Sequence, residues 1–157
     1  FEAETDERNV MQRPPRRPDT SLFSRWLAGW SIIQGGAILV VVGGLTLYFW
    51  HSGLNAEQLR SAAFFALVLG ITSLILINRR FSASITAALR RPNPALGVVL
   101  GSVAVILLAT QFVPPIADLF KFTRVATKEM VVIALASGAV MLILERLKPF
   151  WGNRLLE

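Results

Sequence analysis

The chain has 157 residues, 54% of them apolar, with 16 basic and 10 acidic side chains and a formal net charge of +6. It contains no cysteine and a single histidine, His51, which excludes disulfide frameworks, cysteine-ligated zinc, thiol catalysis and paired-histidine metal sites. The positive charge does not point to nucleic acid, because Lys and Arg flank long uncharged runs instead of gathering on one soluble face; the expected partner is a lipid bilayer.

Residues 1–25 read as a solvated Pro/Arg-rich loop. The acidic cluster Glu2, Glu4, Asp6, Glu7 gives way to Arg13-Pro14-Pro15-Arg16-Arg17-Pro18. Prolines at that density favour an extended path over a helix interior. The start at Phe1 lacks the basic region and short apolar core of a signal peptide, and lacks a Met, so a piece of a longer protein is expected.

The first apolar run, 26–50, holds no charged residue. As a helix it reaches roughly 37 Å, more than the ~30 Å hydrocarbon core of a bilayer. Trp26, Trp30, Tyr48 and Trp50 lie near its ends, where interfacial aromatics belong. Ser52-Gly53 closes this helix and Asn55 is the expected N-cap of the next. The second span covers 61–78 and stops at Arg79-Arg80. A polar, basic stretch runs on to Asn93, and Pro94 suits the opening of a helix, where a missing amide hydrogen costs nothing. The third span covers 95–113 and ends at Pro114-Pro115. In 116–128, Ile116, Leu119, Phe120 and Phe122 interleave with Asp118, Lys121 and Arg124, the pattern of a short helix lying at the interface. The fourth span, 128–146, has a charge-free centre of only 15 residues, Met130 to Leu144. It is expected to borrow length from snorkelling Lys128 and Arg146 or from neighbours. Residues 149–157 read as a tail.

These elements predict an all-α integral membrane bundle of four transmembrane helices over 26–148, with both termini on one side. Twelve of the 16 basic residues fall on that side and four (Arg60, Lys121, Arg124 and Lys128) on the other. The positive-inside rule then places both termini in the cytoplasm. The Arg-rich set fits a bacterial inner membrane. The two hairpins do not repeat one another, so an inverted-repeat transporter is not expected.

An ion path usually shows ionisable side chains at mid-membrane, and none lies centrally in any span here. Gln34, Thr72 and Ser73 are the candidates for a transport path among the polar residues inside. Hydroxyls can bond their own helix carbonyls. Gln34 is dearer to bury and is expected to bond another helix, a contact of about 0.6–2 kcal/mol. Gly29, Gly36 and Gly43 recur every seven residues along the first span, and Gly97 and Gly101 form a GxxxG pair on the third. Small-residue stripes of this kind let another helix approach backbone to backbone. Glu145 and Lys148, three apart, suit a helix-end ion pair. Arg13 to Arg17 are either topogenic charge or a docking segment for a cytosolic domain or anionic headgroups. Catalytic signatures of soluble enzymes are absent.

The stretch Val10-Met11-Gln12-Arg13-Pro14-Pro15-Arg16-Arg17-Pro18 resembles the cytoplasmic loop between the sixth and seventh membrane helices of P-type cation-transporting ATPases, where a Met-x-Arg-Pro-Pro-Arg pattern recurs. Phe65-Ala66-Leu67-Val68-Leu69-Gly70 through Asn78-Arg79 is similar to the eighth helix and its exit. Arg91-Pro92-Asn93-Pro94 is similar to the entry to the ninth. Val113-Pro114-Pro115 through Leu119-Phe120 resembles the loop before the tenth, which ends with Glu145 and Lys148. The resemblance covers nearly the whole chain.

It implies a C-terminal membrane domain that buttresses the transport helices and carries no catalytic residue, cofactor or metal site of its own. ATP and Mg2+ are implied for the parent, whose phosphorylated Asp-Lys-Thr-Gly-Thr motif and nucleotide domain are not in this sequence. The implied partners are the remaining membrane helices and cytosolic domains of the pump, with Arg13, Pro14, Pro15 and Arg16 coupling to the latter. Calcium pumps of the family place a Glu on the eighth helix; Thr72 and Ser73 stand in the matching region, so the transported ion stays open. The competing expectation is a free-standing four-span protein that binds or scaffolds other membrane helices. In a fragment the Gly29/Gly36/Gly43 face is left open; in a complete protein it is packed internally.

Overall fold

In the computed structural model the described residues are 25–78 and 94–155, and they form helices and short connections with no strand among them. In chain order these are α1 (Arg25–His51), α2 (Ala56–Asn78), α3 (Pro94–Phe112), α4 (Pro114–Phe120) and α5 (Thr127–Leu155). Four helices, α1, α2, α3 and the Thr127–Phe150 part of α5, are long and apolar enough to cross a membrane. The fold is all-α, as the uncharged runs require.

Local chemistry sets the boundaries. Gly53, at φ 86°, ends α1 in a left-handed conformation that suits a residue without Cβ. The helix end closes through Leu54 N–H donating to Phe49 O at 3.2 Å and Gly53 N–H to Trp50 O at 3.0 Å. Asn55 caps α2 as expected: Gln58 N–H donates to Asn55 Oδ1 at 2.9 Å, and Asn55 N–H to Gln58 Oε1 at 3.0 Å. This reciprocal box satisfies two amide donors. With that cap α2 starts at Ala56, five residues ahead of the uncharged span, since Glu57, Gln58 and Arg60 are good helix formers despite their polarity. Pro94 opens α3, and Pro114 both stops α3 and opens α4 across the extended Val113.

The fourth spanning helix departs most from the expectation. α5 runs for 29 residues and carries Lys128, Glu129, Glu145, Arg146 and Lys148 within it. Charged residues with straight side chains do not end a helix, so the helix runs past both ends of the charge-free centre. The segment expected as a tail continues α5 through Pro149 to Leu155. Pro149 has no amide hydrogen to give to the carbonyl four residues earlier.

Helices α1, α2 and α5 pack on one another, whereas α3 touches mainly α4 and makes a smaller contact with α2. One apolar cluster joins Phe49, Ala62, Phe65, Ala66, Val125 and Ile133; a second, toward the opposite end, joins Trp30, Ile77 and Leu144. Trp30 is therefore core and not an interfacial aromatic, at 1% exposure against 62% for Trp50. It shares one stripe of α1 with Gln34 and Ile38, four residues apart each, and that stripe faces α2 and α5.

Candidate functional site

Three polar contacts tie the bundle together near the start of α1. Gln34 Nε2 donates to Asn78 Oδ1 at 2.9 Å, and Asn78 Nδ2 donates back to Gln34 Oε1 at 3.0 Å. Lys148 Nζ of α5 donates to the carbonyl of Ile77 at 2.7 Å. The last carbonyls of a helix have no partner within it and carry a partial negative charge. An ammonium group from a neighbouring helix satisfies one of them here. Lys148 is buried, and Glu145, one turn back on the same helix, supplies a favourable counter-charge.

At mid-bundle α1 and α2 meet closely. A Cβ placed on Gly70 would lie 3.0 Å from Ile38 Cγ2 and 3.1 Å from Ile38 Cδ1, so only glycine fits this crossing without movement. The glycines singled out from the sequence behave differently. A Cβ added to Gly36, Gly43, Gly97 or Gly101 would meet nothing within 4 Å. Gly36, Gly97 and Gly101 are exposed, and Gly29 and Gly43 are half-buried.

The hydroxyl candidates are satisfied locally. Thr72 Oγ1 donates to Val68 O at 2.7 Å and Ser73 Oγ to Leu69 O at 2.8 Å, each four residues back on α2. Gln34, in contrast, bonds across helices as its cost of burial predicts. Thr72, Ser73 and Gln34 thus share no hydrogen bond with one another among these contacts. Arg13, Pro14, Pro15 and Arg16 lie outside the described residues.

The opposite end holds side chains that sequence spacing does not single out. Gln111 of α3 accepts from Val125 N–H at 3.0 Å and donates to Val125 O at 3.4 Å, pinning the extended stretch of chain that enters α5. Ser61 Oγ donates to Glu57 O and accepts from Thr123 N–H, both at 2.9 Å. Thr123 Oγ1 donates to Glu57 Oε2 at 2.8 Å, and Arg60 Nη1 to Lys121 O at 3.1 Å. The Arg124 guanidinium sits 4.9 Å over the Phe112 ring. Glu129 is buried in the first turn of α5, where the helix dipole favours an acid. Its Oε1 lies 3.7 Å from Lys128 Nζ, and its Oε2, like Ser137 Oγ, has no hydrogen-bond partner among the described residues.

Between α2, α3 and α5 runs an apolar cleft of about 510 Å3 whose walls include Phe65, Leu69, Leu107, Met130 and Ile133. Among the described residues no group of three or more His, Asp or Glu side chains is placed to hold a metal ion.

An all-helical bundle with four membrane-length helices, cross-linked by amides and a lysine at one end, is an integral membrane domain. The chain belongs to the family described as cation transporting ATPase, C-terminus, whose sequence model matches residues 1–150. It is the C-terminal membrane part of a cation-transporting ATPase. A search among curated proteins finds no significant match.

Proposed function

We propose that this region buttresses the ion-transport helices of the pump and couples them to its cytosolic phosphorylation domain. The observation that supports the reading best is the open glycine face of α1. Gly36 is exposed and, among the described residues, neither it nor Gly43 has an atom within reach of a Cβ, while the opposite stripe of α1 is filled by Trp30, Gln34, Ile38 and Phe49. A smooth face on a membrane helix suits backbone-close packing by another helix. In this reading the occupant is a transport helix of the parent.

Gly97 and Gly101 present a second such face on α3. The backbone bonds of Thr72 and Ser73 support a packing role for both, with the cation ligands coming from helices that precede this region. Arg13, Pro14, Pro15 and Arg16 form the link to the cytosolic domain. Both termini are cytoplasmic, the membrane is a bacterial inner membrane, and the activity of the parent draws on ATP and Mg2+.

The test is made on the complete protein that contains this chain. Its reading frame upstream of Phe1 should encode further membrane helices and an Asp-Lys-Thr-Gly-Thr motif. Purified protein should hydrolyse ATP in response to one cation in a screen of Na+, K+, Ca2+ and Mn2+. Gly36→Leu should then abolish most of that response while the helix content and expression of the protein stay unchanged. A frame with no phosphorylation motif, or a Gly36→Leu protein with full cation-stimulated hydrolysis, would sink the proposal.

A further inference from the structure

The end of α2 is held by two other helices at once, from different sides. Asn78, its last residue, is locked to α1 through the paired amides with Gln34. Ile77, the residue before, has its carbonyl bonded by Lys148 of α5. Beside these polar contacts Trp30, Ile77 and Leu144, one from each of the same three helices, pack as a buried cluster. Each helix therefore supplies one polar and one apolar member at the same level.

The location matters because of the segment into which α2 leads. Asn78 is succeeded at once by Arg79-Arg80, and Arg90-Arg91 closes the same connection. A helix end that frays changes its exit vector; one whose penultimate carbonyl and final side chain are both bonded to neighbours does not. The Gln34–Asn78 pair alone fixes α2 relative to α1 only. Lys148 adds the third helix, and a charge-assisted bond to a carbonyl is about twice as strong as a neutral one.

We infer that Lys148 is a positioning residue of the pump: its bond to Ile77 O holds the exit of α2, and this fixed exit is required for hydrolysis to remain coupled to transport. The inference rests on the reading of the region as a coupling domain. Lys148 acts through α2 and not on substrate or nucleotide. Arginine at the position keeps a donor and a charge, whereas methionine keeps much of the stem and loses both.

The experiment compares Lys148→Met and Lys148→Arg in the complete protein reconstituted in sealed vesicles. Two quantities are read. Hydrogen exchange of the last turn of α2 reports the clasp itself, and should speed up about ten- to a hundredfold in Lys148→Met, the loss expected for one charged hydrogen bond. The middle of α2 should be unaffected. Coupling is read as the stimulation of ATP hydrolysis when the vesicles are permeabilised, which relieves the back-pressure of the gradient that the pump has built. Wild type and Lys148→Arg should be stimulated, and Lys148→Met should hydrolyse ATP without stimulation. A merely structural lysine would lower hydrolysis and stimulation together, or neither. Unchanged exchange at the α2 end, or normal stimulation in Lys148→Met, overturns the inference. Should the wild-type protein not hydrolyse ATP at all, the coupling reading fails, and the exchange measurement still decides whether the clasp exists.

Discussion

Gln34 and Asn78, 44 residues apart in sequence, face each other across α1 and α2 with their amides paired head to tail, at 2.9 and 3.0 Å. Each side chain uses one donor and one acceptor on the other, so neither is stranded at the edge of an apolar environment. Removing one partner leaves the other amide with an unmet donor and acceptor. Asn78→Leu or Gln34→Leu should each destabilise the bundle by about 1–2 kcal/mol. The double Leu variant should cost clearly less than the sum, because the two sites form one interaction. A double-mutant cycle on reversible unfolding in mixed micelles checks this; strict additivity would show that the pair contributes nothing in the membrane.

The two kinds of glycine in the molecule should respond in opposite ways to the same change. Gly70→Ala places a methyl group 3.0 Å from the branched Cγ2 of Ile38, and a β-branched side chain has little rotamer freedom with which to yield. A loss of about 1–2 kcal/mol is expected, and the same substitution made in an Ile38→Ala background, where that contact is gone, should cost clearly less. Gly36→Ala, facing open space, should leave the stability of this region expressed alone within about 0.5 kcal/mol of the unsubstituted value or above it, since Ala favours helix. Thermal unfolding of the two single variants side by side makes the comparison.

Gln111 bonds both backbone groups of Val125, and both residues are buried. Gln111→Leu should cost about 1–3 kcal/mol, the desolvation of backbone groups left without partners. The Val125 amide should lose most of its protection against hydrogen exchange while amides at the centre of α5 keep theirs. Retained protection at Val125 would mean that water replaces the glutamine at no cost.

Lys121 ends α4 in the left-handed region, at φ 50° and ψ 47°. Its amide and that of Phe122 still close the helix, on Asp118 O at 3.0 Å and Ala117 O at 2.8 Å. Glycine is the residue that this geometry favours. Lys121→Gly should raise stability by about 0.5–1 kcal/mol, because the carbonyl that Arg60 bonds is backbone and is retained. A fall in the melting temperature of the purified domain would contradict this.

Much of the architecture is legible in the residues because it depends on features local to one helix. The uncharged run from Trp26, the cap at Asn55 and the opening at Pro94 need only their own neighbours. The need of Gln34 for a partner is legible as well, since its burial cost is intrinsic, but not the partner's identity. A single helix cannot tell which neighbour covers each of its faces. Position near a helix end marks Trp30 as interfacial, yet it sits under α2 and α5. Gly70 is inconspicuous beside the regular stripe of Gly29, Gly36 and Gly43, although it makes the tight crossing. Ser61 and Gln111 bond to a connection 62 and 14 residues away, and no periodicity reports such a link. The length of α5 is hidden by its terminal charges, which resemble helix ends although ionic side chains with long stems continue a helix.

The preference of α2 for α5 over its successor α3 also has a consequence in time. The carbonyl of Ile77 and the ammonium of Lys148 are 71 residues apart, a delay of roughly 4–14 s at a synthesis rate of about 5–20 residues per second. Through that interval the newly inserted hairpin of α1 and α2 stands in the bilayer with its inner flank unmatched. Lipid, or a helper at the site of insertion, must occupy that flank until the last helix arrives to displace it.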